Sequence, residues 1–125
     1  MIDRLRRKLG LTMMLITHDL SVVAQTCTTC GIMYAGKVAE YTDINTVFEE
    51  PLHPYTKALT SAFPSIKEER RGLESITGAP PNLLNPPTGC RFHPRCPYCM
   101  EICKEEEPKY KDQGGRHFVA CHLLE

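Results

Sequence analysis

Residues 11–27, LTMMLITHDLSVVAQTC, change character at Thr17. Before it runs LTMMLIT, a short apolar stretch of the kind found in a strand buried on both faces, as in a parallel sheet. After it, HDLSVVAQT has Thr17 or Asp19 placed to cap a helix that carries Leu20, Val23 and Ala24 inward. A strand yielding to a helix in this way predicts α/β architecture. In open α/β sheets, ligands bind beyond the carboxyl ends of the strands. Thr17–His18–Asp19 lies at such an end, so His18 is a candidate for contact with a phosphate. Taken alone, the triplet favours a plainer reading, in which Thr17 or Asp19 merely caps the helix and His18 lies on the surface.

On the amino-terminal side, IDRLRRKL (residues 2–9) places Ile2, Leu5 and Leu9 near one helical face, and Gly10 is suited to end the helix. On the other side, GIMYAGKVAEY (residues 31–41) reads as two strands joined at Ala35–Gly36. TDINTVFEEP (42–51) predicts a short helix capped by Thr42 or Asp43 and stopped by Pro51. HPYTKALTSAF (53–63) predicts another, with Pro54 in the first turn, where its missing N–H costs nothing, and with Tyr55, Leu59 and Phe63 on one face. The composition then shifts. KEERRG (67–72) is a solvated charge run, and GAPPNLLNPPTG (78–89) carries four of the ten prolines, as an extended connector would. The expected organisation is an α/β unit over 1–65, a linker over 66–89 and a Cys-rich loop/helix tail over 90–125, with short helical stretches around 98–105.

The chain of 125 residues has fifteen basic and fifteen acidic side chains, so its formal charge is zero. That balance supplies no general attraction to nucleic acid or anionic lipid. The longest apolar run, Met13–Ile16, is far short of the ~20 residues that cross a bilayer. Arg4, Arg6, Arg7 and Lys8 are not followed by the apolar core of a signal peptide. A cytosolic setting is expected, and there disulfides are rare. The chain has seven cysteines, an odd number that leaves one thiol over in any disulfide scheme. Metal binding is the favoured use.

Four of the seven lie in GCRFHPRCPYCMEIC (89–103), as Cys90, Cys96, Cys99 and Cys103, and Cys121 follows. Structural zinc sites usually draw on two close pairs, and Cys96–Cys99 with Cys121–His122 fits that poorly. Cys96-x2-Cys99-x3-Cys103 has something of a bacterial iron–sulfur run, although Cys90 stands far upstream and no proline follows Cys103. From spacing alone, zinc and iron–sulfur both stay open. The tail has too few large apolar residues for a core of its own, so a metal staple is the simplest role. Arg91, His93 and Arg95 read as ordinary surface charge, with contact to a partner as the other possibility. Cys27 and Cys30 form a C-x-x-C pair, read as two buried small residues at a helix end rather than a redox or metal pair.

LTMMLITHDLSVVAQTC, IMYAGKVAEY and VFEEPLHPYTKAL together resemble the end of the ATP-binding subunit of ABC importers. HPYTKAL followed by NPPTGCRFHPRCP resembles the dipeptide/oligopeptide/nickel branch, whose C-terminal extension is named for a His-Pro-Tyr, here His53–Pro54–Tyr55. The likeness covers residues 2 to 124. It implies the C-terminal part of a P-loop NTPase fold, and it makes His18 the switch histidine that senses the γ-phosphate of ATP. It also implies Mg²⁺, permease subunits and a second ATP-binding subunit in a head-to-tail dimer, peripheral on the inner face of the membrane. In that branch a 4Fe–4S cluster is held by cysteines that fall on Cys90, Cys96, Cys103 and Cys121, with zinc the alternative. Cys99, commonly alanine in relatives, is then an extra thiol.

The departures matter too. No phosphate-cradling G-x-x-x-x-G-K-[ST] occurs in these residues. The resemblance also implies a signature loop and a Walker B strand upstream of the matching part. The chain therefore reads as the C-terminal third or so of a transporter ATPase, in which His18 acts only beside a supplied P-loop and a catalytic carboxylate. The chain alone is expected to be inactive. The alternative function is a non-enzymatic iron–sulfur or zinc module that regulates or binds a partner.

Overall fold

The computed structural model describes residues 2–62 and 76–125. Helix α1 (Ile2–Leu9) ends at Gly10, whose φ of +63° is the left-handed stop that glycine adopts most readily. Leu5 and Leu9, two of the three positions of the expected apolar face, are exposed.

The buried strand expected over LTMMLIT is not formed. Residues 11–17 have no strand structure, and Leu11, Met13, Met14 and Ile16 are all exposed, Ile16 at 89%. A strand interior to a parallel sheet needs a neighbour on each edge to satisfy its backbone and on each face to bury its side chains. No described strand lies beside this segment.

Helix α2 (Leu20–Thr26) starts where expected. Asp19 is its cap, its carboxylate accepting from the Ser21 and Val22 amides. Val23 is buried and Leu20 half-buried, while Ala24 is exposed rather than inward. Strands β1 (Thr29–Tyr34) and β2 (Lys37–Asp43) pair antiparallel around Ala35 and Gly36. Both turn residues have positive φ (48° and 81°), the combination a two-residue type I′ hairpin loop requires. A bulge falls between Ile32 and Met33. Asp43 caps α3 (Ile44–Glu49) through the Asn45 and Thr46 amides.

Helix α4 (Pro54–Ser61) has Pro54 in its first turn, and its cap is the imidazole of His53, whose Nδ1 accepts the Tyr55 amide at 3.0 Å. The expected inward position of Phe63 and the charge run 67–72 fall outside the described residues. In the tail, α5 (Glu101–Glu105) is followed by β3 (Tyr110–Asp112) and β4 (Phe118–Ala120).

These elements form one sheet in the order β1-β2-β4-β3, every pair antiparallel. Strand β4 of the tail pairs with β2 of the hairpin, Glu40 opposite Val119 and Tyr41 opposite Phe118. One core gathers Val23, Cys30, Ile32 and Val47 under Leu20, Cys27, Ile44, Phe48, Tyr55 and Leu59. Cys27 and Cys30 therefore pack as small apolar residues, and burial raises the Cys30 thiol pKa. A second cluster packs Phe92 of the tail edge-on to Tyr34 and tilted against Tyr55 and His53, with ring centroids 5.1, 5.4 and 5.7 Å away. The tail has no core of its own and completes one with the hairpin and α4.

Candidate functional site

Three groups of chemically capable residues stand out. His18 lies on the exposed turn before α2. Thr17 Oγ1 accepts the Asp19 amide at 3.1 Å, and Asp19 turns its carboxylate to the helix end, where its hydrogen bonds with Ser21 hold its pKa below the usual carboxylate range. The turn is thus built by Thr17 and Asp19, and His18 is presented, exposed, between them.

The second group is the cysteine tail. Gly89 has φ +62°, and a Cβ there would lie 2.5 Å from the Cys103 carbonyl oxygen, so only glycine lets the two backbones meet. That approach allows the Cys90 amide to donate to Cys103 O at 2.8 Å and Thr88 Oγ1 to donate to Lys104 O at 2.8 Å. Cys90 and Cys103, thirteen positions apart, are brought side by side. Burial pushes the Cys90 thiol up to about 11, with further upward pressure from Cys103, Cys121 and Cys96. Burial likewise raises Cys96 and Cys121, and neighbouring thiols add to it: Cys121 and Cys103 act on Cys96, and Cys103 acts on Cys121. Cys90, Cys96, Cys103 and Cys121 thus lie near enough for their charges to act on one another. Even so, among the described residues no three His, Cys, Asp or Glu side chains stand close enough to hold a metal ion. Cys99 is exposed, and its Sγ donates to Met100 O at 3.5 Å.

The arginines expected on the surface are ties instead. Arg95 donates to Thr77 O at 3.0 Å, to Ile76 O at 3.3 Å and to Tyr34 Oη at 3.3 Å. Arg91 donates to the carbonyl of Ala35 in the hairpin turn. His93 Nδ1 donates to Cys90 O at 2.9 Å, closing the turn that carries that thiol.

Sequence reasoning missed the third group. Glu40 is fully buried on β2, and its carboxylate accepts from the amides of Leu52 and His53 (2.9 Å each) and from His117 Nε2 (2.5 Å). One carboxylate thus joins the hairpin, the entry to α4 and the β3–β4 loop. His53, buried beside it, has its pKa lowered by desolvation to about 4, against the upward pull of Glu40, and so is neutral. The HPY triplet now has a physical meaning: histidine caps and reaches the buried acid's neighbourhood, proline opens the helix, and tyrosine joins the aromatic cluster. Glu40 and His117 are 77 positions apart, and no local pattern pairs them.

A hairpin bound to a helix through His-Pro-Tyr, and to a Cys-bearing tail through a shared sheet, matches a known class. Residues 39–103 match the family described as the oligopeptide/dipeptide transporter, C-terminal region, and the chain belongs to that family. It is 42% identical over 125 residues to the dipeptide transport ATP-binding protein DppD of Caldanaerobacter subterraneus subsp. tengcongensis, covering 100% of this chain and 38% of that protein. It is 44% identical over 129 residues to the oligopeptide transport ATP-binding protein AppF of Bacillus subtilis, covering 98% of this chain and 38% of that protein. The oligopeptide transport ATP-binding protein OppD of Escherichia coli is 42% identical over 116 residues, which is 93% of this chain and 34% of that protein. The chain spans little more than a third of the length of these curated relatives.

Proposed function

We propose that this chain works as the C-terminal part of an ATP-binding subunit that couples ATP hydrolysis to peptide import by an ABC transporter. The family match across residues 39–103, with relatives named as peptide-transport ATP-binding proteins, carries the proposal. In this reading His18, on its exposed turn, hydrogen-bonds the γ-phosphate and helps to position the attacking water. The P-loop and the catalytic carboxylate come from sequence outside these 125 residues. Mg²⁺ would neutralise charge developing on the phosphates. The partners are permease subunits and a second ATP-binding subunit, and the assembly sits peripherally at the inner face of the membrane. No described helix is long and apolar enough to cross it.

The tail in this reading holds a 4Fe–4S cluster on Cys90, Cys96, Cys103 and Cys121. The support is chemical: burial and the charge of neighbouring thiols raise three of the four, a cost that a cationic centre removes. Tetrahedral zinc, with Zn–S near ~2.3 Å, is the alternative occupant. A four-iron cluster spans more and takes one thiolate at each corner.

Two measurements test the two halves. First, a chimera carries this chain in place of the matching segment of the Caldanaerobacter relative. It should hydrolyse ATP, and His18→Ala should lower kcat about a hundredfold, the scale for losing one group that stabilises transition-state charge. Full activity in the variant sinks the role given to His18. Second, anaerobic purification of this chain with iron, sulfide and zinc analysis should give iron and sulfide in equal amounts and a brown colour. Cys99→Ala should keep the colour and Cys103→Ala lose it. Stoichiometric zinc would make the tail a zinc staple, and a metal-free chain would remove the cluster.

A further inference from the structure

A cavity of about 360 Å³ opens between the hairpin and the tail. It is large enough for a small organic molecule. Of the four thiols discussed above, only Cys90 reaches its lining, so it is not the space between them. Val38, Phe92, Pro108 and Tyr110 give it apolar and aromatic walls. Its charged lining is Lys37, Arg91 and Glu107, two cations against one carboxylate. Lys37 and Glu107 form an ion pair at 2.8 Å with both side chains about half exposed, so they stand where solvent enters. Arg91 commits one guanidinium nitrogen to Ala35 O.

His53 also lines the cavity and is only 3% exposed. Its Nδ1 accepts the Tyr55 amide, so the neutral ring carries its proton on Nε2. That donor has no hydrogen-bond partner among the described residues. A ligand oxygen in the cavity would give this ring N–H an acceptor.

We propose that this cavity binds a small organic monoanion with an aromatic or branched apolar body, such as an aryl-substituted carboxylic acid. The apolar body lies against Phe92, Tyr110, Pro108 and Val38. The carboxylate answers the single excess positive charge of the lining and offers oxygens to the unpartnered donors of Arg91 and His53. Lys37 and Glu107 set the sign preference. Glu107 repels the ligand's charge and competes for Lys37, so the two residues act in opposite directions.

The test is saturation-transfer NMR and thermal midpoint on the full chain, with phenylacetate as the anionic probe and phenethylamine as its cationic counterpart. Phenylacetate should bind at millimolar concentration and raise the midpoint, and phenethylamine should not. Lys37→Gln should weaken phenylacetate about threefold and Glu107→Gln should tighten it by a similar factor, the scale of a half-exposed charge contact. Ala120→Phe, at another lining position, should fill the space and abolish binding. If that variant does not fold, the two charge variants still decide. The inference is overturned if neither probe binds, if both bind equally, or if Lys37→Gln and Glu107→Gln shift the affinity in the same direction.

Discussion

Residues 11–17 are richer in apolar side chains than the hairpin over 29–43, yet the hairpin is the one that is buried. Met14 and Ile16 are 86% and 89% exposed, whereas Ile32 and Tyr34 are 6% and 8% exposed. The difference lies in what each needs from elsewhere. The hairpin finds its first partner two residues away through a type I′ turn, and Val23, Val47 and β4 then cover it. The apolar segment has no turn that folds it back on itself, and no described strand offers it an edge. Hydrophobicity is a demand for burial, and local chemistry decides whether the demand can be met within these residues.

The largest way to break that contrast is at Glu40. Its carboxylate accepts two amides and a histidine in a fully buried setting, so Glu40→Ala strands three donors at once. Removing one partner of a buried pair typically costs about 3–5 kcal/mol. Urea unfolding should show a loss of that size, with the hairpin and tail separating. Glu40→Gln keeps an acceptor and should lose less. A loss under about 1 kcal/mol for the alanine variant would mean that water already satisfies these groups.

His53 gives the next largest effect and does so through pH. It is held neutral in the fold down to about pH 4, while the unfolded chain protonates it near 6.5. Stability is therefore full above 6.5 and falls as pH drops toward 4, by on the order of 3 kcal/mol. His122 acts in the opposite sense. Burial opposes its charge, but donation to Glu106 O and to Glu125 raises its pKa, so its contribution is present at low pH and lost as pH rises. His53→Asn keeps a side-chain acceptor for the helix and cannot titrate. The difference between its pH–stability curve and the wild-type curve isolates this residue, and parallel curves would show that His53 protonates in the fold as easily as in the unfolded chain.

How much of this could be read in advance follows the same division. The Ala35–Gly36 turn, the two helix caps to within a pair of candidates each, the Pro54 helix start and the Gly10 stop were all legible, because each is decided within a few residues. His18 was legible as the exposed member of a capping turn. The strand over LTMMLIT was misplaced, since apolar composition says nothing about whether a neighbour is present. Glu40–His117, Arg95–Tyr34 and the pairing of β2 with β4 were illegible, because sequence separations of 61 to 79 leave no periodic trace. The cysteines lay between these cases: their spacing flagged them, but the meeting of Cys90 with Cys103 depends on Gly89.

Gly89 sharpens the comparison at a single Cβ. Gly89→Ala meets both a left-handed φ of +62° and a contact of 2.5 Å with the Cys103 carbonyl oxygen. Holding a residue in such a conformation costs about 1–3 kcal/mol. The added effect expected here is local. Cys90 and Cys103 should move apart, so thiol alkylation of the native protein should accelerate at Cys103, which is buried, while Cys99 reacts as before. Unchanged alkylation at Cys103 would mean that the tail absorbs the methyl without loosening.

The smallest effect is expected in the segment that lacks partners, and for that reason it says most about the contrast. Met14→Lys and Ile16→Lys replace side chains that touch little, so each should change the stability of this chain by no more than about 0.5 kcal/mol. The same substitutions in the chimera with the Caldanaerobacter relative should be severe if the segment there becomes an interior strand, because a lysine would then be buried without a counter-charge. Measuring both backgrounds separates two explanations for the exposure. A large loss confined to the chimera means that the segment is a strand awaiting neighbours. A small change in both means that it is a surface segment, and the turn carrying His18 would then have to be positioned by Thr17 and Asp19 alone.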